Sequence, residues 1–147
     1  MTKRTGTLAL TILVAAGTTA ASAQSLAQRD MIARDRTDLA TYSKGVDSAC
    51  MKHVRMSINY ASYRAAPGGV NMLSHAPNSI LENAGDAVKN ICATPDGRAA
   101  VQGKITAIVG VYGSTEAYAL TGGVFTYTMN YGPGNVDRPE AWLKAHL

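Results

Sequence analysis

The segment from Lys104 to Tyr131 constrains the fold more than any other part of the chain. Gly122-Gly123 sits between two runs of alternating residues. That is the signature of a two-residue hairpin whose turn positions both need positive φ. Pairing outward sets Thr121 opposite Val124, Leu120 opposite Phe125 and Tyr118 opposite Tyr127. Gly113-Ser114 reads as a second hairpin, with Val111 opposite Glu116 and Val109 opposite Tyr118. The two turns together describe a three-stranded antiparallel meander. One face gathers Ile105, Ala107, Val109, Val111, Tyr118, Leu120, Phe125, Tyr127 and Met129. The other gathers Thr106, Ile108, Thr115, Ala117, Ala119, Thr121, Thr126 and Thr128, a Thr-rich surface open to solvent or a partner.

The amino terminus reads as an export signal. Lys3 and Arg4 supply the charged start, Leu8 to Ala16 the apolar stretch, and Ala21-Ser22-Ala23 the small-residue cleavage site. Residues 1–23 are thus expected to leave, and residues 24–147 to form a single exported domain in the periplasm or outside the cell. The apolar stretch is shorter than the ~20 residues that span a bilayer, so no transmembrane segment is expected after cleavage. The whole chain has 14 basic and 10 acidic residues, a net +4. Cleavage removes Lys3 and Arg4 but no acid, leaving +2. That weak charge argues against nucleic acid as a partner.

Cys50 and Cys92 are the only cysteines. In an oxidising compartment an even pair is expected to bridge. The enclosed loop of about 43 residues gives a stabilisation of roughly 4 kcal/mol as an upper figure.

Between these features the chain alternates helix and strand signals. Residues 25–44 read as a polar surface helix stopped by Lys44-Gly45. Residues 52–60 alternate as a half-buried strand, and residues 64–78 form a loop punctuated by Pro67-Gly68-Gly69 and Pro77. A helix follows from about 79 to 93, in which Gly85 signals a close neighbour. Thr94-Pro95 then caps a short helix to about 102. Gly132-Pro133-Gly134 ends the sheet. Asp137 with Glu140 reads as a capping box for the last helix. The expected fold is α+β: a four-stranded, mostly antiparallel sheet (strands near 52–60, 104–112, 115–121 and 124–131) with helices packed on one face and one disulfide.

No residue pattern specifies a chemistry. His53, His75 and His146 lack metal-ligand spacing, so no metal and no cofactor is expected. Ser114 lies in no nucleophile turn, and the Gly-Pro clusters are not phosphate loops. No catalytic residues are assigned. The candidate ligand-binding residues are His53, Arg55, Tyr63 and Arg64, where basic and aromatic side chains interleave, and Glu116, which the inferred register places on the bulky face. The expectation is a non-catalytic exported domain acting on an unidentified protein or small ligand. The alternative is a small periplasmic hydrolase-like enzyme using Glu116 with a His or Tyr brought near by folding.

Overall fold

The structure is a computed structural model that describes residues 26–65, 77–129 and 136–147. The expected leader, most of the 64–78 loop including Pro67-Gly68-Gly69 and His75, and Gly132-Pro133-Gly134 lie outside the described residues. The elements run α1 (Leu26–Cys50), β1 (Arg55–Ile58), α2 (Tyr60–Arg64), α3 (Pro77–Cys92), α4 (Pro95–Lys104), β2 (Ala107–Tyr112), β3 (Ala117–Thr121), β4 (Val124–Met129) and α5 (Asp137–His146).

The four strands form one sheet in the order β1-β2-β4-β3. β1 and β4 both run parallel to β2, and only β3 and β4 are antiparallel. The sheet is therefore mixed and mostly parallel, which corrects the antiparallel expectation. The Gly122-Gly123 hairpin has the inferred register, with Thr121, Leu120 and Tyr118 opposite Val124, Phe125 and Tyr127. Both glycines take positive φ, 57° and 81°, as the tight turn requires.

Gly113-Ser114 is not a hairpin. Gly113 lies outside the positive-φ region, and a Cβ added there would meet Thr128 Cγ2 at 2.4 Å. The Gly113 amide donates to the Met129 carbonyl. Glycine is needed here because the chain passes tightly against the end of β4 on its way to the outer edge. β4 takes the interior place because Phe125, Tyr127 and Met129 are all buried, whereas Ala117, Ala119 and Thr121 of β3 stay exposed, as suits an edge strand.

With β4 beside it, β2 presents the opposite set of side chains from the one expected. Register pairs Met56, Ile108 and Phe125 across three strands. The helix-facing side of β2 is thus Ile108, Gly110 and Tyr112, while Ala107, Val109 and Val111 join Thr126 and Thr128 on the other face. A one-residue change of phase reverses every side chain in a strand.

Three other boundaries moved. β1 is short, because Asn59 caps α2 by accepting from the Ala61 amide, and Lys104 belongs to α4. α1 runs through Gly45 to Cys50 because Val46 and Cys50 are fully buried, and packing outweighs the glycine. At α4, Thr94 Oγ1 accepts from the Gly97 amide and Pro95 begins the helix, as read. No side chain caps α5. Glu140 bonds instead to Asn90 Nδ2 at 2.7 Å and Lys144 Nζ at 2.6 Å.

The core lies between the sheet and the helices. Leu81, Val88 and Leu143 of the helices meet Ile108, Phe125 and Met129 of the sheet, all buried. Trp142 stacks on Phe125 and tilts against Tyr118. Cys50 and Cys92 form a disulfide with Cα atoms 5.0 Å apart, joining the ends of α1 and α3.

Candidate functional site

β1 is an edge strand, and α1 passes alongside it. A cavity of about 300 Å³ runs between them, and a second of about 320 Å³ adjoins it between α1 and α2; the two share Arg36 and Tyr60. The α1 wall repeats at helical spacing: Arg29, Ile32, Ala33, Arg36, Ala40 and Ser43 lie on one stripe. Of the four acids of the same helix, Asp30 and Asp38 fall off that stripe, Asp35 is buried near Tyr60, and Asp47 is bonded to His53.

Arginines line both cavities. Arg36, His53 and Arg55 line one cavity, and Arg29, Arg36 and Arg64 line the other. Among the described residues no Asp or Glu lines either one. Arg36 lies over the Tyr60 ring, 5.9 Å from its centroid, a cation–π arrangement that holds the guanidinium at the junction. Among the described residues no carboxylate is within 4.0 Å of Arg36, Arg55 or Arg64. His53 is positioned by Asp47: its Nδ1 is 2.7 Å from Asp47 Oδ2, while Asp47 Oδ1 accepts from the Val54 amide. The turn from α1 into β1 is thereby fixed.

Behind Tyr60 lies a buried polar pair. Asp35 is 5% exposed and Tyr60 is 8% exposed. Neither Asp35 Oδ2 nor the Tyr60 hydroxyl has a partner of good hydrogen-bond geometry. The two are nevertheless close enough to influence each other. Burial, with the charge of Asp38, pushes the Asp35 carboxyl up to about 6, and the Tyr60 hydroxyl offsets part of that rise. Burial and the Asp35 charge also push the Tyr60 phenol up.

Of the five candidate binding residues, His53 and Arg55 line the first cavity and Arg64 lines the adjoining one. Tyr63 lines neither. It is 1% exposed, beneath α2, with its hydroxyl toward Met129 Sδ and its ring 5.7 Å from Tyr112. Glu116 is also elsewhere, at the start of β3. Its Oε1 accepts from Tyr118 (2.5 Å) and Tyr127 (3.0 Å), and its Oε2 pairs with Arg138 Nη1 at 2.9 Å. Burial alone would raise this carboxyl, but the hydrogen bonds from Tyr118, Arg138 and Tyr127 outweigh it and hold it below the usual range. Burial and the bond to Glu116 push both phenols up. The group is a carboxylate clasped by three donors, and it pins α5 to the sheet.

Sequence reasoning missed Arg29 and Arg36. Their signal was their spacing of seven, in step with Ile32 and Leu39, which puts them beside the buried stripe of α1. Among the described residues no cluster of His, Cys, Asp and Glu is placed to hold a metal ion, and no helix is long and apolar enough to cross a membrane.

Compared with family models, curated proteins and solved structures, the chain matches none. Function must be argued from the site itself.

Proposed function

We propose that residues 24–147 form a small exported domain, periplasmic or extracellular, that acts by binding a partner or ligand in the groove between α1 and β1. The observation that carries this reading is convergence. Arg36 from α1, Arg55 from β1 and Arg64 from α2 line two adjoining cavities that share Arg36, and among the described residues no carboxylate pairs with any of the three. Like charges gathered on a groove repel one another, and an anionic occupant relieves that repulsion. The Cys50–Cys92 bridge supports export, because such bonds persist in oxidising compartments.

The hydrolase alternative has Glu116 within reach of Tyr118 and Tyr127, as it requires. Their mutual effect disfavours it. Glu116 is held as an anion and both phenols are held protonated, so none of the three exchanges a proton easily near neutrality.

The test is a two-dimensional NMR titration of the secreted, oxidised protein against fractionated envelope and medium components, with mass spectrometry of its amino terminus. Shifts clustered on residues 29–43 and 53–64, in a protein beginning at Gln24, support the reading. Shifts confined to the Thr126–Thr128 face, or an intact leader on the exported protein, overturn it.

A further inference from the structure

Resting on the groove as the binding site, we infer that its occupant is an acidic segment of another polypeptide, bound in extended form as an added strand along the outer edge of β1.

The placement of the groove carries the first half of this inference. Arg55, Met56, Ser57 and Ile58 point alternately to opposite faces of the sheet, yet all four line the same cavity. Consecutive residues of a strand do so only when the cavity runs along the strand's edge rather than over a face. The backbone is the common surface. The Arg55 and Asn59 amides donate inward to the Thr106 and Gly110 carbonyls of the β2 side. In a parallel ladder the alternate residues then turn the other way, so the amides and carbonyls of Met56 and Ile58 face the groove. Edge groups of this kind are a template for a further strand.

Charge decides which strand. One that lies along β1 sends alternate side chains toward Arg36 on α1 and toward Arg55 at the rim, and Arg64 continues the same field in the adjoining cavity. Guanidinium groups pair best with carboxylates, through two parallel hydrogen bonds. The same arginines reject a second copy of β1, whose own edge residue is Arg55, so the edge selects a partner of opposite charge instead of pairing with itself. Leu39 and Ile58 give the groove an apolar floor for intervening residues.

The experiment titrates the oxidised, leader-free chain with two capped hexapeptides, alternating valine and glutamate or alternating valine and lysine, and with inorganic phosphate as a separate probe. A third peptide is the glutamate sequence methylated at alternate backbone nitrogens. The glutamate peptide is expected to shift the Met56 and Ile58 amides and slow their hydrogen exchange. It should bind at least tenfold more tightly than the lysine and methylated peptides, and lose at least tenfold in Arg36→Glu and Arg55→Glu, two exposed positions whose variants are checked for native dichroism. Its affinity should fall as salt rises. Equal binding of the glutamate and lysine peptides in the groove overturns the acidic partner, and equal binding of the methylated peptide overturns strand addition. Either result leaves the groove as a binding site. So does a shift by phosphate alone, which overturns the polypeptide and points to a small anion. If millimolar peptide and phosphate all leave residues 53–64 unshifted, both the inference and the binding function proposed above fail.

Discussion

Arg138 Nη1 lies 2.9 Å from Glu116 Oε2, so the first turn of α5 is clasped to the residue that leads into β3. Tyr118 and Tyr127 donate to the other carboxylate oxygen from neighbouring strands. A carboxylate that accepts several donors in a half-buried site stabilises chiefly by leaving none of them unpaired.

Glu116→Gln should therefore cost about 1–3 kcal/mol of stability at neutral pH. The pH dependence has a definite sign. Because the folded-state pKa of Glu116 is lowered, its contribution is fully present above the ordinary glutamate range and is lost as pH falls through the depressed value. Wild type should lose stability on acidification in this region, and the Gln variant should lose less. Urea unfolding at a series of pH values measures both, and hydrogen exchange should show α5 opening more readily in the variant.

Asp35 has the opposite sign. Its folded-state pKa is raised to about 6, so the neutral form favours folding. The stabilisation is complete below the usual aspartate range and is lost as pH rises through 6, a swing of at most about 3 kcal/mol. Asp35→Asn should raise the urea midpoint at pH 7 and leave it nearly unchanged at acidic pH, where Asp35 already carries its proton. Tyr60→Phe removes the hydroxyl that offsets the rise, so it should move the titration midpoint of Asp35 higher still, read from its carboxyl carbon shift.

The parts of the fold legible in sequence were those set by neighbours along the chain. Gly122-Gly123 encodes a turn whose φ values only glycine takes easily, and its register followed directly. The Thr94-Pro95 helix start was equally local. Gly113 looked like the same signal but answers a different need, clearance against Thr128. Nothing within a few residues of Gly113 distinguishes a turn from a close crossing. The choice rests on which strand has three large side chains to bury, a comparison across the whole sheet. The groove divides the same way. His53, Arg55 and Arg64 lie within one short segment and were found together, whereas Arg36 belongs with them only because α1 folds back along β1. Tyr63 lies apart from them because helix α2 turns it inward while leaving Arg64 outside.

Cys50–Cys92 fastens the carboxyl ends of α1 and α3 across a separation of 42 residues. Both sulfurs are fully buried, and Gln102 Nε2 donates to the Cys50 carbonyl beside them. Replacing both cysteines by alanine should cost about 2–4 kcal/mol, mostly through the freer unfolded chain. The change should appear as a lower denaturant midpoint in the double variant, matched by wild type under strong thiol reductant. Reductant should leave the double variant's own curve unmoved.

Two helical glycines should answer alanine with opposite signs. At Gly45, five residues before the carboxyl end of α1, an added Cβ meets nothing within 4 Å. Gly45→Ala should therefore gain up to about 1 kcal/mol of helix propensity. At Gly85, in α3, the same Cβ would lie 2.6 Å from Tyr42 Cε1 and 3.0 Å from Met56 Cε. The methionine end can move. The ring cannot easily do so, because the Tyr42 hydroxyl donates to Asp86 Oδ1 at 2.5 Å and lies 3.0 Å from the Glu82 carbonyl. Overpacking of this kind costs about 1–3 kcal/mol, which exceeds the propensity gain. Gly85→Ala is thus expected to lower the urea midpoint and Gly45→Ala to raise it. Gly85→Ala combined with Tyr42→Phe, which frees the ring, should lose less than the two single changes added together. Additive losses would show that the Tyr42 ring does not limit how closely α1 and α3 pack.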